Sequence, residues 1–255
     1  MKRIKVIVAG TFRYEIYQEA LSHGFELIGV DVIRLILNED RPYNKWLDIV
    51  NGRKLVSAVE NYSPDIVFLY RVENILPYYI KMLKYKYPNI ILMQYHNDDP
   101  FRKGLKRYIK SFNYLHYIEY TDLTYVYRPV NLEEAKSWGA KKVNLYMSHY
   151  YSVNDYIELH RNNFKYKNNA VAFLGHYEDD IRISYFNELF QRKINFHIYG
   201  PNDWNNVFIE RGWPLDHLHP VVRGVEYRNT INCYSMVLAF FSTRNRDLYL
   251  SLIHI

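Results

Sequence analysis

The sequence predicts an α/β chain, with parallel sheets arranged as two successive Rossmann-like units. Three observations lead there. Short apolar runs alternate with amphipathic stretches, the pattern of parallel strands joined by helices. The 255 residues, at about 150 per domain, leave room for one large domain or two modest ones. Apolar residues make up 49% and charged residues 24% of the chain, which excludes a disordered tail, a fibrous repeat and a disulfide-stapled miniature.

In chain order, Lys5–Ala9 (KVIVA) reads as a first strand and Glu15–His23 as a helix closed by Gly24. Leu27–Val32 reads as a second strand and Asn51–Tyr62 as a helix. Pro64 and Asp65 punctuate that helix before Ile66–Tyr70 (IVFLY), a strand of the fully buried type. Leu76–Tyr87 is helical, and Asn89–Tyr95 and Leu123–Tyr127 are strands. Asn131 to Glu134 fits a capping box, with Asn131 accepting from the Glu134 N–H, on a helix that ends at Gly139. Lys141–Tyr146 completes the first unit, residues 1–160. The polar stretch within 161–169 is the expected linker. The second unit, 170–255, starts with strand Ala170–Leu174, a helix near Ile181–Arg192 and strand Ile194–Tyr199. Pro201–Trp213 reads as a loop, Glu226–Tyr234 as a helix and Met236–Phe241 as a last strand.

The single cysteine, Cys233, excludes an internal disulfide. The apolar run after the basic start is too short for a signal peptide, and no run approaches a membrane span. A soluble cytoplasmic protein is the expectation. The net charge of +6 suits a phosphate-bearing ligand, nucleic acid or an anionic membrane surface without choosing among them. Arg102, Lys103, Lys106, Arg107 and Lys110 form the densest basic stretch. It reads as a solvated helix face, with a docking patch as the alternative. The 27 tyrosines are spread along the chain, with no stacking module of the kind nucleic-acid binders use.

Candidate chemistry clusters where strands end, the edge at which open α/β folds bind ligands. Gly10 stands alone, without the G-x-G-x-x-G that a dinucleotide fold needs, so Asp31 is weak support for NAD. His96-Asn-Asp-Asp-Pro-Phe101 follows a strand. It is a ligand-facing loop, a hydrogen-bonded turn, or a metal site using His96, Asp98 and Asp99. The pair His217 and His219 lacks an acidic partner pattern and reads as a loop. Gly175 to Arg182 (GHYEDDIR) spans a strand end and a helix start, where Gly175 permits close approach and Arg182 suits a diphosphate. Glu178, Asp179 and Asp180 repel an anion unless they point away, and equally serve as helix caps. Gly200 closes the next strand, and Trp204 packs on a base or anchors the loop. Asn245-Arg246-Asp247 is the last polar signal, and Cys233 reads as core.

Together these motifs resemble the CgeB-like, spore-maturation-type group of GT-B glycosyltransferases. The resemblance rests on Pro64–Arg71 (PDIVFLYR), His96–Phe101, Phe173–Asp180 with Arg182, Tyr199-Gly200 and Asn245–Asp247, and covers most of the chain. It implies a GT-B-like pair of Rossmann-like domains and a retaining, metal-independent transfer from a nucleotide-diphosphate sugar, with no cofactor. The acceptor, a glycan, protein or small molecule, is left open. On this resemblance His96, Asp98 and Asp99 face the acceptor. Gly175, His176 and Arg182 receive the diphosphate, Gly200 lies beside the base, and Asn245, Arg246 and Asp247 border the sugar and phosphates. The family continues after Arg-Asp with a Ser/Thr-Arg-Thr-Phe-Glu-x-Pro-like segment whose Glu is expected to hold the donor ribose. No Glu follows Asp247 here. The expectation is a C-terminally truncated member with an incomplete second domain, an inauthentic tail over Leu250–Ile255 and an exposed apolar edge at the last strand. A non-catalytic scaffold is the alternative reading. A basic nucleic-acid binder ranks lower, and no nucleic-acid partner is expected. Peripheral membrane contact is compatible with the charge.

Overall fold

The structure, a computed structural model, describes residues 3–13, 15–38, 44–146 and 168–240. It divides into two compact units, Met1–Ser148 and His149–Ile255. Of the expected linker 161–169, all but Asn168 and Asn169 lies outside the described residues, and those two open a strand.

The first unit has six strands, β1 (Lys5–Gly10), β2 (Asp31–Ile36), β3 (Ile66–Tyr70), β4 (Ile91–His96), β5 (Leu123–Val126) and β6 (Val143–Leu145). They form one parallel sheet in the order β2-β1-β3-β4-β5-β6. Alternation along β1 sends Ile7 and Ala9 into one core layer and Val6 and Val8 into the other. Helices α2 (Lys45–Tyr62), α3 (Pro77–Lys86), α4 (Leu105–Tyr117) and α5 (Val130–Ser137) feed the first layer. A π-helical turn at Glu15–Glu19 and α1 (Ala20–Leu27) contribute to the second.

Several boundaries differ from expectation for local reasons. Helix α1 runs through Gly24 to Leu27, and Gly29, at φ +81°, is the residue that lets the chain leave it. The second strand therefore begins at Asp31, four residues later than Leu27. The capping box is not made. Asn131 sits inside α5 after Pro129, and its amide donates to Glu134 Oε2 (2.8 Å) and Asp99 Oδ1 (3.0 Å).

The second unit has β7 (Asn168–Leu174), α6 (Ile181–Gln191), β8 (Phe196–Tyr199), α7 (Asp203–Arg211), β9 (Leu218–His219), α8 (Gly224–Asn232) and β10 (Tyr234–Leu238). Its parallel sheet runs β10-β7-β8-β9. The expected loop Pro201–Trp213 is mostly helix α7. Trp204, Val207 and Phe208, at helical spacing, are buried against Phe173, Phe186 and Phe196 and hold it. On the opposite sheet face Ala170, Ala172 and Tyr234 make a much smaller cluster, and α8 buries no side chain fully. Strand β10 is an edge strand with Met236 exposed; Phe241 lies outside the described residues.

Candidate functional site

In the first unit the β4 strand delivers His96 to the carboxyl edge of the sheet, and Asn97, Asp98 and Asp99 turn the chain there. Three neighbours pin this loop. Arg107 Nε of α4 donates to the Asp99 carbonyl (2.7 Å), Arg128 donates to the Asn97 carbonyl (2.9 Å), and Asn131 of α5 donates to the Asp99 carboxylate. Asp99 Oδ1 also accepts the Phe101 N–H (3.2 Å), a side-chain turn of the kind aspartate favours. Asp99 and His96 are each 1% exposed, so as placed both support the loop from inside.

His96 accepts the Asp98 N–H at Nδ1 (3.1 Å) and points Nε2 at Glu73 Oε1, 3.2 Å away. An accepting Nδ1 places the single ring proton on Nε2. Burial pushes the ring's pKa down against the pull of Glu73, which keeps it neutral. Burial also works to raise the Glu73 pKa, but His96, Lys110 and Arg107 hold its carboxyl well below the ordinary range. Ser111 Oγ donates to the same carboxylate at 2.8 Å. Glu73 holds this sheet edge and is a residue that the sequence reading missed. A lone Glu in a loop after a strand carries no spacing signal.

Asp98 is the half-exposed member of the loop. Its carboxylate pairs with Arg71 at 2.9 Å. Burial works to raise its pKa, yet Arg71 foremost and the other cations near it keep the group ionised. Arg71 itself adopts φ +54°, a conformation that costs a non-glycine residue free energy, and its N–H donates to the Tyr95 carbonyl (2.7 Å). That bend turns the chain at the end of β3, beside the loop that carries Asp98.

In the second unit Gly175 and Gly200 follow β7 and β8 and continue the sheet ladder, Gly175 N–H to the Tyr199 carbonyl (2.9 Å) and Gly200 N–H to the His219 carbonyl (3.1 Å). Both glycines are demanded by packing. A Cβ on Gly175 meets the Phe173 ring at 2.6 Å, and one on Gly200 runs into the Trp204 indole. Trp204 is fully buried and donates to the Gly175 carbonyl (2.9 Å), so it anchors the loop. Arg182 is 3% exposed. Its guanidinium grips Asp180 in a fork (2.7 and 2.9 Å), donates to the His176 carbonyl (2.8 Å) and lies 3.4 Å from Glu178. Asp180 meanwhile caps α6 by accepting the Arg182 N–H. The exposed His176 ring reaches Glu178 at 2.8 Å. Asn245, Arg246, Asp247 and the tail Leu250–Ile255 lie outside the described residues.

His217 and His219 are a 3₁₀ turn and a strand rather than a loop. His197 Nδ1 and His219 Nε2 are 2.6 Å apart, bridging β8 to β9, with His217 stacked on His197. Among the described residues no group of three His, Cys, Asp or Glu side chains is arranged to hold a metal ion. A cavity of 490 Å³ opens beside α8, lined by residues that include Asn168, Tyr199, Glu226 and Tyr234. Of the described residues expected to bind the donor, Gly175, His176, Arg182 and Gly200, none lines it. No described helix is long and apolar enough to cross a membrane.

No protein-family profile matches this sequence, and no curated protein matches it. Solved structures do. The UDP-N-acetylglucosamine 2-epimerase of Rickettsia bellii superposes with a TM-score of 0.60 at 11% identity, over 92% of this chain and 73% of that one. The UDP-GlcNAc 2-epimerase of Neisseria meningitidis, bound to UDP-GlcNAc, gives 0.57 at 11% identity, over 92% and 76%. A sucrose-phosphate synthase from Thermosynechococcus elongatus gives 0.59 at 9% identity, over 92% and 75%. Likeness at this identity speaks for the fold: the chain is an α/β protein of two Rossmann-like units of the GT-B kind.

Proposed function

We propose that the protein acts on a nucleotide-diphosphate sugar and transfers its glycosyl group to an acceptor, as a CgeB-like transferase. The observation that carries this reading is the two-unit fold, shared over 92% of the chain with enzymes named for UDP-sugars. The donor is assigned to the carboxyl edge of the second sheet, at the Gly175–His176 backbone and Gly200. Arg182 acts there as a positioning residue, fixing the His176 carbonyl. Asn245, Arg246 and Asp247 follow β10 in sequence and are assigned to the same edge. On the acceptor side the ionised, half-exposed Asp98, steadied by Arg71, is the group that meets an acceptor hydroxyl. His96 and Asp99 hold that loop in shape. Backbone N–H groups and cations near the leaving diphosphate supply the electrostatic stabilisation such a transfer needs.

One observation favours the non-catalytic scaffold instead. The N-terminus of α6 is already capped by Asp180, and Arg182 is engaged by two carboxylates. A phosphate arriving there meets a site filled by the protein's own anions. Melting temperature with UDP, UDP-GlcNAc and GDP, followed by product analysis, separates the readings. A transferase is raised in melting temperature by a nucleotide and releases nucleotide diphosphate in an acceptor-dependent manner. Asp98→Asn then lowers turnover by about 100-fold with nucleotide binding kept. An isomerised nucleotide sugar formed without acceptor makes the protein an epimerase. The absence of any thermal shift removes the enzymatic reading and leaves the scaffold.

A further inference from the structure

Helix α4 is apolar on two faces. It buries Tyr114, Leu115 and Tyr117 in the core, beside Ser111 and Asn113, yet also leaves Leu105, Tyr108, Ile109 and Phe112 exposed, with Leu105 at 74% and Ile109 at 48% exposure. The spacing of these four, 105, 108, 109 and 112, puts them on one stripe along the helix. Trp138, at the end of α5, extends the stripe: its ring lies 6.4 Å from Tyr108 and 5.7 Å from His116. Exposed Arg102, Lys103 and Lys106 stand at the start of the same helix. Lys103 and Lys106 make no ion pair among the described residues.

We propose that this face of α4 docks the protein on an anionic lipid surface. An apolar stripe of Leu and Ile, joined by Tyr, Phe and Trp and flanked by lysines, is the chemistry of a helix lying in the membrane interface. Tyr108 and Trp138 carry apolar bodies with polar tips suited to the headgroup level. The cations add attraction to acidic lipids that fades with salt. The charge argues against the other occupants. A second copy would bring a second basic rim to the contact, which adds like charge instead of the opposite charge that acidic lipids offer. A nucleic acid could stack on Tyr108, Phe112 or Trp138, but it gains little from covering the aliphatic Leu105 and Ile109, the more exposed members of the stripe.

Flotation with phosphatidylcholine vesicles, with and without phosphatidylglycerol, tests this on the full chain. The protein is expected to float with the mixed vesicles at low salt, to release as salt rises, and to bind pure phosphatidylcholine weakly. The double variant Leu105→Glu with Ile109→Glu changes exposed side chains only, and its melting temperature serves as the folding control. It is expected to lose vesicle binding. The pair Lys103→Glu and Lys106→Glu is expected to weaken binding by about tenfold or more and to flatten its salt dependence. The proposal fails if the unmodified protein does not float at low salt, or if both variants bind as it does. It also fails if ultracentrifugation shows a dimer that Leu105→Glu with Ile109→Glu dissolves. Salt-sensitive capture of an oligonucleotide without vesicle binding overturns it in favour of nucleic acid.

Discussion

At the scale of single residues, Glu73 ties the carboxyl edge of the first sheet together. Its carboxylate takes the Ser111 hydroxyl and faces His96, Arg107 and Lys110 from one half-buried position. Replacing it by Gln removes one of the carboxylates that Arg107 and Lys110 face, with Asp98 as the other, and weakens the charged hydrogen bond from Ser111, a change expected to cost about 1–2 kcal/mol. The pH sign follows from its lowered pKa. A carboxyl held below its unfolded value stabilises the fold at neutral pH, and that stability is lost as pH falls below the ordinary glutamate range. Denaturant unfolding of the Glu73→Gln variant should therefore show a shallower acid limb than the unmodified chain. An acid limb of unchanged slope would show that Glu73 is not the titrating group. The sequence exposed His96, Asp98 and Asp99 because they sit together after a strand. It concealed Glu73 and Arg71, whose roles depend on contacts across elements and on a left-handed backbone at Arg71.

At the scale of elements, the strands were legible where burial on both faces writes an unbroken apolar run. Ile66–Tyr70 was placed correctly from such a run. The helix α7 was concealed by its Asn and Asp residues, which read as turn formers, although Trp204, Val207 and Phe208 carried a helical period. Strand β9, two residues long, leaves no periodic trace at all. It is joined to β8 by the His197–His219 bridge, whose facing nitrogens share one proton. Burial, and then the neighbouring histidines, push both pKa values down, with Asp216 pulling weakly the other way. Tyr199 stacks on His219, and Tyr234 reaches both His197 and the Tyr199 hydroxyl; these phenols are the other titratable groups facing the pair. Lowered histidine pKa values mean that the bridge adds its full stability above the ordinary histidine range and loses it as pH falls through the lowered values beneath that range. Amide hydrogen exchange at Tyr199 and Gly200 is expected to speed up on acidification, after correction for intrinsic rates. His219→Phe should remove that local pH dependence while leaving the remainder of the sheet unaffected. Exchange that ignores pH in the unmodified chain would refute the clamp.

At the scale of the whole molecule, two separate cores built from one alternating pattern explain why the fold class was readable. Apolar periodicity reports burial, and burial is what a parallel sheet with helices imposes on every strand. The edge proposed for the donor was less readable, because its two glycines answer to Phe173 and Trp204 inside the protein and its arginine answers to Asp180. The fold also sorts the four tryptophans. Trp46 and Trp138 are solvent-facing in the first unit, while Trp204 and Trp213 lie in the aromatic core of the second. A variant with Trp46→Phe and Trp138→Phe should emit at short wavelength in buffer and shift red only when that aromatic core opens in urea. Red emission from this variant before any urea is added would contradict the burial of Trp204 and Trp213. A triple variant, Trp46→Phe with Trp204→Phe and Trp213→Phe, leaves Trp138 as a lamp set into the α4 face, one that turns blue wherever that face leaves water. Without any attached dye, the molecule reports in one spectral band on the integrity of its second unit and in another on the company its first unit keeps.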